Sequence, residues 1–149
     1  MMTIKNDFSS SISAKIGADE AIRRINNIPG WWGITFSGDS EKQDDRFIVK
    51  MGGDSFFDFT VEELIPGQRI VWLVTDCNMP WYSDKKEWAK TKLIFDLAEM
   101  NGVTSLIFTH EGLTPDIACF QDCKTGWTHW ITKSLFSYFT TGKGDFKQT

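Results

Sequence analysis

The stretch DIACFQDCKTGWTHWITKSLFSYFTT, residues 116–141, decides the fold that we predict for this chain. Its large apolar side chains recur at spacings of three, four and seven residues, which place them on one face of an α-helix. This face comprises Phe120, Cys123, Trp127, Trp130, Ile131, Ser134, Leu135 and Tyr138. Because polar residues lie between these positions, the pattern predicts an amphipathic helix of about six turns that does not span a membrane.

The chain before this helix alternates apolar and polar residues in the way that is typical of half-buried β-strands. Phe57, Phe59 and Val61 share one parity within FFDFTVEEL, for example. We predict strands at residues 8–16, 34–37, 46–51, 56–64, 69–75, 88–100 and 103–111. The PGQ turn at residues 66–68 and the Asn101-Gly102 turn make short connections, so the strands are expected to form an antiparallel sheet.

A short helix is expected at residues 17–27, where acidic residues in the first turn precede apolar residues at helical spacing. The adjacent Trp31 and Trp32 follow, and we expect one of them to point inward and the other outward. The order of elements predicts one α+β domain over residues 1–149, in which one long helix covers one curved sheet. Residues 77–88 are expected to form a loop that acts as a rim or lid.

The composition narrows the class of function. The 149 residues carry a formal net charge of −4, with 16 basic residues scattered among 20 acidic ones. Nucleic-acid binding needs clustered basic residues, so we exclude it. Three cysteines and the lack of a signal-peptide pattern at the N-terminus favour the cytoplasm. The 7 Trp and 12 Phe residues supply more ring surface than a domain of this size needs, and rings line cavities as well as fill cores.

Several segments resemble one known family. They are THEGL at residues 109–113, Gly126-Trp127, SLFSYFTTGKG at residues 134–144, and VEELIPGQRIVW at residues 61–72. Together with the element order, they resemble the SRPBCC or START-like superfamily. Within it, the chain looks like the family named for its similarity to the C-terminal domain of the activator of the heat-shock-protein-90 ATPase. The resemblance implies a helix-grip fold, in which a curved antiparallel sheet wraps around a long C-terminal helix with a cavity between them. It does not carry over ATPase activation, because the chain is too short for the activator's separate N-terminal domain.

The resemblance and the ring content lead us to expect a binding protein for a small hydrophobic molecule, lipid or polyketide-like, with no cofactor and no metal. The candidate ligand-binding residues are Phe57, Phe59, Trp72, Phe95, Phe108, His110, Cys123, Trp127 and Trp130. The alternative is that these same side chains fill the interior completely and leave no cavity. A homodimer is a further expectation.

Two other functions remain open at this point. The first is an enzyme of the polyketide-cyclase or hydrolase kind that uses His110 as its base. The second is a protein-interaction module with a filled interior and an exposed aromatic cluster around Trp81, Tyr82 and Trp88.

Few residues offer other chemistry. Cys123 and His110 form the one nucleophile-base pair that the expected fold brings together, and burial as ordinary core residues is the alternative. Cys119 and Cys123 lie four residues apart, but no second pair has zinc-site spacing.

Gly126 costs its helix about 1 kcal/mol relative to alanine. Close approach of a strand, a slight bend or space for a ligand would each explain this glycine, and we take packing as the default.

Overall fold

The computed structural model describes residues 6–147 and contains one antiparallel sheet. Its strands are β1 (Phe8–Ala14), β2 (Thr35–Gly38), β3 (Arg46–Lys50), β4 (Phe56–Ile65), β5 (Arg69–Asn78), β6 (Lys92–Met100) and β7 (Val103–Glu111). The spatial order is β1-β7-β6-β5-β4-β3-β2, so β1 crosses over to pair with β7 while the other strands follow one another. The predicted α+β class with a curved antiparallel sheet is confirmed.

Two helical regions pack against this sheet. Helix α1 (Ala18–Asn26) and a 3₁₀ turn (Ile28–Gly30) follow β1. The C-terminal helix consists of α2 (Phe120–His129), a π-helical segment (Trp130–Leu135) and α3 (Phe136–Thr141). The sequence did not predict the π-helical segment, because the wider turn depends on packing and leaves the apolar spacing almost unchanged.

We predicted that the C-terminal helix begins at residue 116, but it begins at Phe120. The carboxylate of Glu87 accepts hydrogen bonds from the backbone N–H groups of Ala118 and Cys119, at 2.8 and 3.0 Å. These donors would be unpaired at the start of a helix, and a side chain from a distant loop satisfies them. Residues 116–119 therefore remain in turns.

The strand boundaries also differ from the prediction, by one or two residues in β1 to β4 and by three or four in β5 and β6. Residues 88–91 form a turn in which the Thr91 hydroxyl donates to the carbonyl oxygen of Trp88, so β6 begins at Lys92. Strand β5 continues to Asn78, where it still pairs with Phe56. The β4–β5 ladder contains register shifts at Asp58/Phe59 and at Val61/Glu63. Such bulges bend and twist a strand pair, so they curve this part of the sheet around the helix.

Aromatic rings fill much of the space between sheet and helix. Trp72 of β5 packs edge-on against Phe95 at 4.8 Å and against Phe47 at 5.1 Å between ring centroids. Trp31 and Trp32 stack on each other at 5.9 Å, and both are buried. The expectation that one of them points outward is therefore wrong, because the chain at this point runs between sheet and helix and is covered on both sides.

Candidate functional site

A partly open cavity of about 1340 Å³ lies between the C-terminal helix and the sheet edge formed by β2, β3 and β4. Its walls come from residues 29–35, residues 50–57, the loop at residues 79–88 and the helix at residues 121–133. Five large apolar side chains at its base are at most 3% exposed. These are Trp32, Phe57, Met79, Trp88 and Trp127. The base of the cavity therefore consists of side chains that are already closely packed, and the more exposed apolar side chains of its lining are Met51, Trp81 and Phe146.

Four of these side chains form a connected set of rings, which we call the aromatic floor: Trp32, Phe57, Trp88 and Trp127. The centroid of Phe57 lies 4.4 Å from that of Trp88, and Trp88 stacks on Trp127 at 5.8 Å. Trp127 in turn contacts Trp32 at 5.0 Å. Because each ring packs against its neighbour, the floor is continuous across the width of the cavity.

Gly126 lies on the helix wall of the cavity and borders free space. A Cβ atom added at this position would have no atom within 4 Å. Close packing against a strand therefore does not explain the glycine, and our default interpretation was wrong. Gly126 lines the cavity, and its missing side chain leaves this wall open.

The loop at residues 79–88 is fixed to the start of the helix by three side chains. The Tyr82 hydroxyl donates to Asp122 Oδ2 at 2.5 Å, and Glu87 binds the helix N-terminus as described above. The indole N–H of Trp88 donates to Cys123 Sγ at 3.3 Å. These contacts hold the loop along one side of the cavity, where Trp81 remains 56% exposed at the rim.

The opposite end of the cavity is formed by the segment that follows the helix. The ring nitrogen Nε2 of His129 donates to the carbonyl oxygen of Asp145 at 2.7 Å, and the backbone N–H of Asp145 donates to Ser134 Oγ at 2.9 Å. These bonds place Phe146 against Trp130, with 6.1 Å between ring centroids. Phe146 is thereby a second exposed ring at the rim.

His110 lies beneath the aromatic floor and is completely buried. Trp127 Nε1 donates to its Nδ1 at 3.0 Å, so Nδ1 carries no proton. The Thr91 hydroxyl donates its hydrogen bond to the Trp88 carbonyl oxygen, and therefore accepts one from His110 Nε2 at 2.9 Å. Burial lowers the pKa of His110 to about 3. His110 is thus a neutral core residue whose two ring nitrogens are both engaged.

The three cysteines are free thiols in different surroundings. Cys77 and Cys119 are fully buried, whereas Cys123 is half-buried and lines the cavity. Hydrogen bonds from the Cys119 thiol and from Trp88 lower the pKa of Cys123, although burial opposes them. The same interaction raises the pKa of Cys119. His110 bonds to Trp127 and Thr91 and not to Cys123, so the fold does not assemble the expected nucleophile-base pair.

The nine candidate residues divide into two groups. Four line the cavity: Phe57, Cys123, Trp127 and Trp130. Five are buried in the core and do not reach it: Phe59, Trp72, Phe95, Phe108 and His110. Alternation along the strands placed the six strand residues on the inner face, and helical spacing placed Cys123, Trp127 and Trp130. The cavity lies at the β2–β4 edge of the sheet, away from the five buried residues, whereas the end of the helix packs against β1.

Sequence reasoning missed several residues of the cavity. Trp32 and Met79 belong to its base, and Lys50, Lys124 and Lys133 lie around its opening. These residues come from separate elements, and no motif connects them. Residues 6–147 contain no group of three or more His, Cys, Asp or Glu side chains that could hold a metal ion. In the same part of the chain, no helix is long and apolar enough to cross a membrane.

The curved antiparallel sheet, the long C-terminal helix and the cavity between them define a helix-grip protein. The chain belongs to the family described as Activator of Hsp90 ATPase homolog 1-like protein, whose model matches residues 21–140. This family was predicted from the sequence, and the prediction is confirmed. No curated protein matches the chain significantly.

Solved structures share this fold. The Aha1 dimer from Colwellia psychrerythraea is 23% identical with a TM-score of 0.75, and the alignment covers 93% of this chain and 98% of that one. DynU16, a protein from the dynemicin biosynthetic locus, is 18% identical with a TM-score of 0.69, and the alignment covers 95% of this chain but 49% of that one. CalU16 from Micromonospora echinospora is 14% identical with a TM-score of 0.64, over 91% and 76% of the two chains. At these identities, the likeness establishes the fold alone.

Proposed function

We propose that this protein binds a small hydrophobic molecule, lipid or polyketide-like, in the cavity between the C-terminal helix and the β2–β4 edge. The observation that carries the proposal is the open space above the aromatic floor, at the position where the helix has Gly126 and no side chain. Burial of apolar surface contributes about 25 cal/mol per Å². A ligand buries its own apolar surface against the floor and covers the exposed side chains of Met51, Trp81 and Phe146, and the polar residues at the rim orient it.

The enzyme alternative has less support. A general base must reach the proton that it removes, and His110 is fully buried with both nitrogens hydrogen-bonded to Trp127 and Thr91. A molecule in the cavity would have to displace the indole of Trp127 before it reached this imidazole. His110 thus serves the proposed function indirectly, because it holds a ring of the floor in place.

The interaction-module alternative required an exposed aromatic cluster. Trp81 is exposed, but Tyr82 is half-buried through its bond to Asp122 and Trp88 is 3% exposed. These three rings therefore do not form one exposed surface. A homodimer remains a proposal that is separate from the cavity. Sedimentation equilibrium tests it, and a single species at 17.0 kDa across the concentration range would contradict it.

The binding proposal is tested by filling the cavity from Gly126. Gly126→Phe adds a ring to this wall, at a position where a new Cβ has no atom within 4 Å, and the neutral dye N-phenyl-1-naphthylamine serves as the probe. We expect wild type to bind the dye with increased fluorescence. Gly126→Phe should weaken binding about tenfold, or about 1.4 kcal/mol, because the new ring occupies space that the dye would fill. Thr140→Phe is the matched control, because it adds the same ring at an exposed position of α3 outside the cavity.

Two results would count against the proposal. Wild type that fails to bind the dye, and that carries no small molecule in native mass spectrometry, has no ligand-accessible cavity. Equal affinities of Gly126→Phe and Thr140→Phe would place the bound dye elsewhere on the protein.

A further inference from the structure

The charged residues around the cavity are mostly positive, whereas the chain as a whole is negative. The protein as a whole is acidic, with a formal net charge of −4. The cavity nevertheless has three lysines, Lys50, Lys124 and Lys133, against a single carboxylate, Asp122. We call the three lysines the lysine rim. Asp122 Oδ2 accepts a hydrogen bond from the Tyr82 hydroxyl at 2.5 Å, so this oxygen is directed to the loop.

The lysine rim lies on both walls of the opening and has no carboxylate partner in the part of the chain that the structure describes. Lys50 ends β3 on the sheet side, whereas Lys124 and Lys133 belong to the C-terminal helix. No ion pair within 4.0 Å involves any of the three among residues 6–147, although Lys42, Lys86 and Lys92 each have one there. All three lysines are exposed residues, and the Lys124 ammonium lies over the ring of Phe120, 6.0 Å from its centroid. None of the three is held by a carboxylate of the described residues, so a ligand that enters the cavity can attract them.

We propose that the cavity selects a hydrophobic organic acid, whose apolar body lies on the aromatic floor and whose carboxylate is bound by the lysine rim. This inference rests on the proposed function, and it adds the class of ligand. The floor offers apolar contact without a hydrogen-bond requirement, so it accepts many apolar bodies. The rim distinguishes among them by charge, since a positive opening in an acidic protein attracts anions and leaves neutral molecules unaffected.

The test compares two competitors that differ in the head group alone. Dodecanoate and 1-dodecanol have the same chain length, and each is titrated against the dye N-phenyl-1-naphthylamine bound to the full chain. The test variant is Lys50→Gln/Lys124→Gln/Lys133→Gln. An exposed ion pair contributes about 0.2–1 kcal/mol, which corresponds to about 1.4- to fivefold in affinity for each lysine. We therefore expect the triple variant to bind dodecanoate about tenfold more weakly and 1-dodecanol as wild type does.

A matched control variant changes the net charge of the protein by the same amount as the test variant does. Lys15→Gln/Lys42→Gln/Lys90→Gln also removes three positive charges, and none of these residues lines the cavity. This control is expected to bind dodecanoate within about twofold of wild type. Raising the salt concentration to 0.5 M should weaken dodecanoate binding to wild type and have little effect on the rim variant.

Three outcomes are distinguishable. Dodecanoate binding that falls equally in the rim variant and in the control overturns the inference, because the effect then comes from net charge. Dodecanoate binding that is unchanged in the rim variant also overturns it, while the dye and 1-dodecanol still bind and the proposed function stands. If wild type binds neither the dye nor either competitor, the proposed function fails, and the inference fails with it.

Discussion

Trp127 on the C-terminal helix donates a hydrogen bond of 3.0 Å from its indole nitrogen to Nδ1 of His110 on β7. This bond crosses from helix to sheet within a region that is closed to solvent, since His110 is completely buried and Trp127 nearly so. Buried polar groups of this kind are costly to leave without a partner. The bond therefore fixes the orientation of an indole that also forms part of the aromatic floor.

Replacement of His110 tests this contribution to stability. We expect His110→Leu to lower the free energy of unfolding by about 2–3 kcal/mol, because the Trp127 N–H loses its acceptor. His110→Gln should lose less, since its amide oxygen accepts from Trp127 and its amide N–H donates to Thr91. Urea unfolding measures both changes. His110→Leu/Trp127→Phe should recover part of the loss, and a Leu variant as stable as wild type would refute the role of the bond.

The same histidine makes stability depend on pH. Burial lowers the pKa of folded His110 to about 3, below the value of 6.5 for the unfolded chain. Between these values the unfolded chain binds a proton that the folded protein does not, so the stabilisation is complete above pH 6.5 and declines as the pH falls toward 3. From pH 7 to pH 5, wild type should lose about 2 kcal/mol more stability than His110→Gln. Parallel pH profiles of the two proteins would contradict this expectation, since the carboxylates common to both cancel.

Cys123 should be the thiol that reacts in the folded protein. It is half-buried at the cavity, whereas Cys77 and Cys119 are 0% exposed. Iodoacetamide should therefore add one group to native protein, as counted by intact mass, and none to Cys123→Ser. Trp88→Phe removes a donor that lowers the pKa of Cys123, so its labelling at pH 7 should be several-fold slower than in wild type. Two or three adducts on folded wild type would show that the burial of the other cysteines is incorrect.

Two glycines should respond oppositely to alanine. Gly126→Ala is expected to stabilise the protein by about 0.5–1 kcal/mol, because alanine favours a helix and the new Cβ enters open space. A Cβ at Gly144 would lie 2.5 Å from the carbonyl oxygen of Gly30, so Gly144→Ala should destabilise the segment that carries Phe146. Thermal unfolding compares the two variants. A destabilised Gly126→Ala would mean that this position packs against another group.

Periodicity in the sequence predicted much of the fold. Residues two apart along a strand share a face, and this alone placed Phe57, Phe59, Phe95 and Phe108 inward, where the structure has them. The spacing of Trp127, Ile131 and Leu135 likewise defined the buried face of the C-terminal helix. Its start at Phe120 was not predictable, because the carboxylate that satisfies the preceding N–H groups comes from Glu87, more than thirty residues earlier.

The sequence by itself determined which side chains leave the surface, since the faces of strands and helices are set by local geometry. Only the tertiary structure decided which of those side chains fill the core and which border empty space. Phe59 and Phe57 have the same parity on β4, yet Phe59 packs among other rings and Phe57 lies beneath the cavity. The difference depends on where the helix covers the sheet and on the missing side chain of Gly126. The lysine rim likewise combines Lys50 of β3 with two lysines of the C-terminal helix. These arrangements arise only when the fold brings together residues that are remote in the chain.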